Sequence, residues 1–325
     1  MRRRDFVKGL AGITTAWPLA AHAQRSGLPV IGFVHSTSPG SYPPVSAFLK
    51  GLDETGFVEG RNVTIEYHWA EGHYDRLPAM IGELVQHKVN VIAAASTPAA
   101  AAAKAANTAI PVVFTTSGDP IQLGLVSSLN EPGGNFTGVT QRNIEVASKR
   151  LELMHEMFPG ATTIALLVNP PDPLAPPMSK ESAAAANALG LKLKILKASN
   201  EQELSAVFEG LGRENLEPLV IASDAYFSNR GEMLGSLALR HHVPAIYQYT
   251  EFTEGGGLMS YGGNVAESYR LAGVYVGRIL AGAKPGSLPV QQVTKVELIV
   301  NLKAARALGV TFPLSLLGRA DKVIE

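Results

Sequence analysis

Short apolar strands alternate with amphipathic helices along almost the whole chain, and this alternation restricts the fold more than any other feature. A strand is predicted over residues 29–35 (PVIGFVH), and a helix with apolar residues at helical spacing follows over residues 44–56. The same order then repeats along the chain. Buried strands that are separated by helices form parallel sheets with helices on both faces. The sequence therefore predicts an α/β fold.

The alternation occurs in two similar halves. VIAAASTPAA, which starts at residue 91, and LVIASDAYFS, which starts at residue 219, each contain a strand, a polar turn and the start of a helix. Turn-forming residues over 131–143 predict a crossing between the halves. We expect two Rossmann-like lobes with parallel sheets, joined by a hinge in which the chain crosses three times. The predicted boundaries are residues 28–140 plus 258–284 for the first lobe, and 141–257 plus 285–325 for the second.

Composition excludes several classes of function. The 325 residues include no cysteine and carry a formal net charge of zero. A thiolate metal site and a disulfide framework are therefore excluded, and a nucleic-acid partner is not expected without a basic face. The P-loop, the GxSxG elbow and the dinucleotide-binding GxGxxG after a strand are all absent, and the histidines are scattered. We expect neither an enzyme, nor a cofactor, nor a metal site.

The N-terminus has the pattern of an export signal. A basic stretch (RRRDFVK) precedes a short, weakly apolar segment, and Ala21 and Ala23 fit a cleavage site before Gln24. The pair Arg3 and Arg4, followed by Asp-Phe-Val-Lys, is similar to a twin-arginine signal, and an arginine-rich Sec signal is the alternative. Residues 1–23 are thus predicted to be a signal peptide, and the mature chain is predicted to be periplasmic.

Polar residues stand where the predicted strands end, which is where open α/β sheets bind ligands. The most informative turn is Ser96-Thr97-Pro98, which leads from a buried strand into an alanine-rich helix. A hydroxyl at the N-cap and a proline in the first turn are typical of a helix start, and such an N-terminus can bind an anion. The alternative is an ordinary capped helix whose hydroxyl bonds only its own backbone.

Other strand ends supply further candidate ligand-binding residues. An aspartate after a strand either lines a cleft or caps the next helix, and aromatic rings near these ends can enclose an apolar part of a solute. With the Ser-Thr turn, the candidates are His35, Ser36, Ser96, Thr97, Asp119, Asn169, Asp224, Tyr247 and Tyr261.

Three segments of the chain resemble one known family. They are FLKGLDETGFVEGRNVTIEYHWAEG, the stretch from STPAAAAAK through IPVVFTTSGDPIQLGLVSSLNEPGGNFTGVT, and VELIVNLKAARALGVTFP. They resemble the solute-binding components of ABC importers, and in particular the tryptophan- and phenylalanine-binding members with a type I periplasmic-binding-protein fold. The resemblance extends from about Val30 to Phe312 and is most specific in the PVVF to TGV stretch.

The resemblance implies a binding protein whose lobes close on a small solute. It implies that a solute carboxylate meets Ser96 and Thr97, and that Asp119, Asn169 and Asp224 line the cleft. The partners would be an amino acid or carboxylate, aromatic ones included, and an ABC permease, and the protein is expected to act as a monomer. Two proline-rich loops at the rim of the cleft, STSPGSYPPVSAF and VNPPDPLAPP, depart from the family pattern, so the resemblance does not identify the solute.

Two alternative functions stay open. One is a periplasmic subunit that presents a ligand to a receptor kinase, and the other is an enzyme on a flavodoxin-like fold.

The export signal yields a first prediction. Replacement of both Arg3 and Arg4 by lysine should trap the precursor in the cytoplasm, because the twin-arginine pathway reads the arginine pair itself. Cell fractionation with an antibody to the mature chain measures this. Normal export of the double-lysine variant would leave a Sec signal as the only interpretation.

Overall fold

The protein consists of two α/β lobes, each built around one sheet. The computed structural model describes residues 27–40, 44–141, 146–212 and 217–325. The predicted signal peptide and its cleavage site lie outside the described residues. Within the described residues, no helix combines the length and the apolarity that crossing a bilayer requires.

The strands follow the predicted order, with three additions: a strand directly before the first crossing and two short strands near the C-terminus. In chain order they are β1 (Val30–His35), β2 (Thr64–Trp69), β3 (Val91–Ala94), β4 (Val112–Thr116), β5 (Phe136–Thr140), β6 (Thr163–Val168), β7 (Lys192–Lys197), β8 (Leu219–Ile221), β9 (Ala245–Tyr247), β10 (Met259–Gly263), β11 (Gln291–Gln292), β12 (Val296–Asn301) and β13 (Lys322–Ile324).

The helices lie between these strands and cover both faces of each sheet. They are α1 (Val45–Asp53), α2 (Leu77–His87), α3 (Thr97–Ala105), α4 (Ala147–Met157), α5 (Ala175–Ala188), α6 (Glu201–Gly212), α7 (Ala225–Ser228), α8 (Gly231–Arg240), α9 (Thr250–Glu254), α10 (Val265–Leu280), α11 (Leu302–Leu308) and α12 (Leu314–Leu317), together with short 3-10 turns at Tyr74–Arg76 and Pro285–Ser287.

Both sheets are mostly parallel, as the sequence predicts. The first has the strand order β11-β5-β4-β3-β1-β2, and the second has the order β13-β12-β10-β9-β8-β6-β7. Only the pairing of β10 with β12 is antiparallel among the strand pairs of the described residues. Each sheet has an apolar core on both of its faces, which explains why its central strands are buried and nearly continuous in apolar residues.

The sheet topology corrects the predicted lobe boundaries at two places. Residues 258–263 are predicted in the first lobe, but β10 lies between β9 and β12 in the second sheet, where Met259 pairs with Ile246 and Val300. Residues from 285 onward are predicted in the second lobe, but β11 pairs with β5 in the first sheet. Strands as short as these, β10 with two glycines and β11 with only two residues, carry too few side chains for their sheet to be predicted from sequence.

The chain crosses between the lobes three times, and the crossings lie side by side. The first follows β5, the second is at Asn264 between β10 and α10, and the third lies between β11 and β12. A Cβ atom on Gly263 would lie 3.6 Å from the carbonyl oxygen of Gln141 and 3.9 Å from that of Lys295, so one residue contacts the other two crossings. Parallel crossings of this kind form a hinge and allow rigid-body closure.

Helix α10 returns from the second lobe and packs directly against α1 of the first lobe. Two glycines allow the two backbones to approach closely. A Cβ atom on Gly51 would lie 1.8 Å from the carbonyl oxygen of Arg270, and one on Gly273 would lie 2.0 Å from that of Phe48. Any side chain at either position would push the helices apart, and with them the wall of the first lobe.

This contact yields a stability prediction. The Gly273→Ala variant should lose about 1–3 kcal/mol of unfolding free energy, because its methyl group overlaps the α1 backbone. Gly210→Ala is the matched control. It adds the same methyl group in α6, where nothing lies within 4 Å, and it should be neutral or gain about 0.5–1 kcal/mol. Urea unfolding followed by circular dichroism measures both variants, and equal stabilities would contradict this account of the contact.

Candidate functional site

A cleft lies where the strands of both sheets end and face each other. Its walls carry hydroxyl, amide and carboxylate groups from both lobes. The lining residues are Ala95, Ser96, Thr97, Pro98, Thr115, Thr116, Ser117, Gln141 and Tyr269 from the first lobe and the hinge, and Asp172, Leu174, Asp224, Ala225, Ser228 and Gln248 from the second. This location is the one expected for ligand binding in α/β folds.

The N-terminus of α3 forms part of the first wall. Ser96 is its N-cap, in an extended conformation, and the Ser96 hydroxyl accepts hydrogen bonds from the backbone N–H groups of Ala99 and Ser36, both at 3.3 Å. Pro98 occupies the first turn. The capping interpretation of Ser96 is therefore confirmed, and the cap also ties the α3 start to the loop after β1. The positive end of the helix dipole still faces the cleft.

Thr97 belongs to a second hydroxyl network on the same wall. Its Oγ1 atom lies 2.9 Å from the Thr116 hydroxyl at the end of β4 and accepts a hydrogen bond from the Ser117 N–H at 3.3 Å. Thr116 in turn accepts from the Gly118 N–H at 3.1 Å. The network fixes the rotamer of Thr97 and holds the ends of two strands together, so the wall is organised in advance.

His35 supports this wall from behind. Its Nδ1 atom accepts a hydrogen bond from the Thr37 N–H at 3.0 Å, so the proton is on Nε2, which lies 2.9 Å from the Tyr269 hydroxyl. Tyr269 donates to the Ala95 carbonyl and lines the cleft. Complete burial lowers the pKa of His35 to about 3, so the imidazole is neutral at physiological pH. His35 does not line the cleft.

Asp224 faces the α3 start from the second lobe. Its Oδ1 atom caps the short α7 by accepting from the Phe227 N–H at 2.8 Å. Its Oδ2 atom accepts from the Asn169 side chain at 3.1 Å and from the Tyr74 hydroxyl at 2.8 Å. Tyr74 belongs to the first lobe and also accepts a hydrogen bond from the Tyr226 N–H at 3.1 Å. This tyrosine therefore joins the two lobes directly beside the carboxylate.

Asp172 is a second carboxylate at this end of the cleft, and the sequence analysis missed it. It is 2% exposed, and its Oδ1 atom accepts from the Leu174 N–H at 2.7 Å. Its Oδ2 atom has no hydrogen-bond partner among the described residues. Burial, and then the neighbouring charge of Asp224, raise the pKa of Asp172 well above its usual range. The sequence feature that could have indicated Asp172 is its position four residues after β6, inside the proline-rich loop NPPDP.

Other buried acceptors surround the two carboxylates. Gln248 donates through Nε2 to the Ser228 hydroxyl at 3.0 Å, while its Oε1 atom has no partner among the described residues. The same holds for the Oδ1 atom of Asn169, whose amide group donates to Asp224. Buried polar atoms are nearly always hydrogen-bonded in native proteins, so these two oxygens beside the carboxylates are available to a polar group.

The remaining predicted residues lie outside the cleft lining. Asp119 bonds the Ile121 N–H at 2.8 Å in the turn after β4. Tyr247 is fully buried beneath Asp224, with its hydroxyl 2.8 Å from that of Ser228. Tyr261 packs against the core of the second lobe. The structure brings Ser96, Thr97 and Asp224 together at the cleft, with Ser36 and Asn169 one contact away, and the binding roles of all the candidates remain predictions.

The cleft carries acidic but no basic side chains. Asp172 and Asp224 are the only carboxylic acids among its described lining residues, and lysine and arginine are absent from that lining. Histidine, aspartate and glutamate side chains do not form a group that could hold a metal ion in the described part of the chain. The cleft thus has an acidic end on one lobe and a helix N-terminus with hydroxyls on the other.

Comparison with known proteins identifies the family. The family model described as ABC transporter substrate binding protein matches residues 29–324. The chain belongs to this family. Its members are binding proteins and not enzymes, which confirms the expectation that the chain is not an enzyme.

Individual relatives agree with this assignment. A tyrosine-binding protein of Clostridioides difficile is 27% identical over 263 residues, which cover 80% of this chain and 75% of that protein. The structure of an ABC domain from Streptococcus pneumoniae in complex with L-tryptophan is 25% identical, with a TM-score of 0.80, and the match covers 92% of this chain and 100% of that one. A conserved domain protein from Vibrio cholerae is 26% identical with a TM-score of 0.81, over 91% of this chain and 100% of that one. The predicted two-lobed fold is confirmed.

The hydroxyl network yields a prediction for binding. Thr97→Val keeps the shape of the side chain but removes an acceptor and a donor from the cleft wall. We expect the affinity for the solute that co-purifies with the protein to fall by about tenfold, which corresponds to roughly 1.4 kcal/mol. Isothermal titration calorimetry measures the effect.

The matched control for this variant is Thr137→Val. Thr137 is likewise buried in the first lobe, in β5, and its hydroxyl donates to the Leu288 carbonyl at 2.7 Å, away from the cleft lining. This change should lower stability without altering affinity. Wild-type affinity in a folded Thr97→Val protein would show that the turn only caps its helix.

Proposed function

We propose that this protein binds an α-amino acid, with a preference for aromatic ones, and delivers it from the periplasm to an ABC permease. The observation that carries the proposal is the distribution of charge across the cleft. Asp172 and Asp224 stand on the second lobe, and the α3 N-terminus with its hydroxyls stands on the first. An amino acid carries an ammonium and a carboxylate on adjacent atoms, and these two walls offer a complement to each.

The carboxylate end of the solute is assigned to the first wall. A helix N-terminus attracts an anion with about 0.3–1 kcal/mol at exposed sites and up to about 2 kcal/mol when it is partly buried. Each hydrogen bond to a charged group adds roughly 1.5–3 kcal/mol. Hydroxyls at Ser96, Thr97, Thr116 and Ser117 can donate such bonds without carrying charge. The site therefore needs no arginine to hold a carboxylate.

The aromatic preference rests on the relatives. Two proteins of similar sequence are named for tyrosine binding or were solved with L-tryptophan. Pro98, Leu174, Ala225 and the ring of Tyr269 give this cleft an apolar lining between its polar ends, which suits an apolar or aromatic side chain.

Closure of the lobes is the proposed mechanism. Tyr74 of the first lobe contacts Asp224 and the Tyr226 N–H of the second, and Gln141 at the hinge accepts a hydrogen bond from the Tyr249 hydroxyl. A solute that contacts both walls adds its own binding energy to these bridges and shifts the population toward the closed form. The permease would then recognise the relative position of the two lobes.

The cellular location is part of the proposal. The twin-arginine-like stretch and the alanines before Gln24 are typical of a cleaved export signal, and the chain offers no cysteine for a lipid anchor. A periplasmic solute-binding protein would meet its permease at the outer face of the inner membrane.

A thermal-shift screen and small-angle scattering test the function. L-tyrosine or L-tryptophan at 100 times its dissociation constant should stabilise the protein by about 2.7 kcal/mol. The radius of gyration should fall at saturation, because the lobes approach each other across the hinge. Ribose, a neutral sugar, is the control and should change neither quantity. If none of the common amino acids raises the melting temperature, the proposed solute class is wrong.

A further inference from the structure

The acidic end of the cleft places two buried carboxyl groups side by side, with no positive side chain in the cleft lining to compensate them. Asp172 and Asp224 are both buried, at 2% and 4% exposure, and close enough for the charge of Asp224 to raise the pKa of Asp172. Asp224 uses both oxygens as acceptors, toward Phe227 on one side and toward Asn169 and Tyr74 on the other. Asp172 has one buried oxygen to which no described residue donates a hydrogen bond, and its carboxyl lies within hydrogen-bonding reach of the Asp224 carboxyl. Two buried carboxylates that face each other without a cation repel strongly.

The groups around Asp172 do not relieve this repulsion. Asp224 faces it from the end of β8, Tyr74 faces it from the first lobe, and Leu174 offers one backbone N–H from its own loop. Burial and both aspartates raise the pKa of Tyr74 well above its usual range, so this side chain stays neutral and adds no negative charge, but a phenol cannot supply the missing positive charge. Arg150 lies in the same lobe, but its guanidinium is directed to the Tyr261 carbonyl and the Ser223 hydroxyl.

We propose that the lobes close only when one positive charge sits between Asp172 and Asp224, and that this charge is either the ammonium of the solute or a proton. The inference rests on the proposed amino-acid function for its ammonium and assigns Asp172 as a residue that determines specificity. Closing brings Tyr74 over the pair and removes water from it, which makes an uncompensated second charge costly.

This requirement has a functional consequence. At neutral pH, an amino acid supplies the charge itself, whereas a carboxylic acid of the same shape without an amino group must bring in a proton. The ligand-free protein would also resist closure at neutral pH, so the permease would not be presented with a closed but unloaded binding protein. The carboxyl pair thus selects for solutes with an amino group and also disfavours closure of the ligand-free protein.

The first experiment needs no solute. A carboxyl whose pKa is higher in the closed form binds protons more tightly there, so acid favours closing and base favours opening. We expect the radius of gyration of the ligand-free wild type to decrease as the medium is made more acidic, because the pKa of Asp172 is raised. Asp172→Asn removes the repulsion while keeping the shape, so this variant should be compact throughout. Asp75→Asn is the control, since Asp75 is an exposed aspartate next to Tyr74, and this variant should behave like the wild type.

The second experiment compares matched solutes by calorimetry. L-tryptophan and indole-3-propionate differ by the amino group, as do L-tyrosine and 3-(4-hydroxyphenyl)propionate. Because each molecule without an amino group takes up one proton on binding, its affinity for the wild type should rise about tenfold per unit of decreasing pH, whereas that of the amino acid should stay constant. In Asp172→Asn this pH dependence should disappear, and the preference for the amino acid should drop by about tenfold or more.

Each outcome decides the proposal. A radius of gyration that does not respond to pH in the ligand-free wild type overturns it, whatever solute is later found. An affinity for indole-3-propionate that is independent of pH, alongside tight binding of L-tryptophan, also overturns it while leaving the amino-acid function intact. If no amino acid binds but acid still compacts the wild type and not Asp172→Asn, the proposed solute class fails and the charge requirement stands.

Discussion

The return of α10 into the first lobe is the contact on which the rest of the structure depends. It covers one face of the first sheet, and its close approach to α1 is possible because Gly51 and Gly273 carry no side chains. The same helix places Tyr269 in the cleft wall and Ser268 against the Nε2 atom of Gln141 at 2.7 Å. Without this return, the two lobes would be joined by a single tether. With it, the relative motion of the lobes is confined to one hinge.

The cleft achieves polarity with few charges. Its first wall uses a helix N-terminus and hydroxyls that are bonded to one another, and its second wall uses two carboxyls that share neighbours. Hydroxyl and amide groups are less costly to bury than ions, and they do not exclude neutral parts of a solute. The carboxyl pair is the exception, and its burial is tolerable in a protein only when a compensating charge arrives. Selectivity is therefore concentrated at one end of the cleft.

Much of the fold could be predicted from the sequence, because buried parallel strands between helices leave a strong pattern. The Ser96 cap and the cleft position of Asp224 also follow from local rules, since polar residues at strand ends meet at one edge. The sheet that receives β10 could not be predicted, because pairing with β9 and β12 is a long-range choice that five residues rich in glycine do not encode. Likewise β5 lies within a stretch rich in turn formers, and its pairing with β4 includes Gly138, where a side chain would overlap Phe114. The cleft position of Asp172 could not be predicted either, because this residue lies in a proline-rich loop that has neither a periodic pattern nor a capping motif.

Because His35 is neutral, the two walls of the cleft respond differently to a change of pH. Its imidazole is fully buried and hydrogen-bonded to Thr37 and Tyr269, and burial lowers its pKa to about 3, far below neutral pH. The wall of the first lobe therefore keeps one charge state and one hydrogen-bond pattern as the medium becomes more acidic. In the proposed periplasmic location, where the pH follows that of the outside medium, the protein would respond to a change of acidity with one fixed wall and one wall that can change.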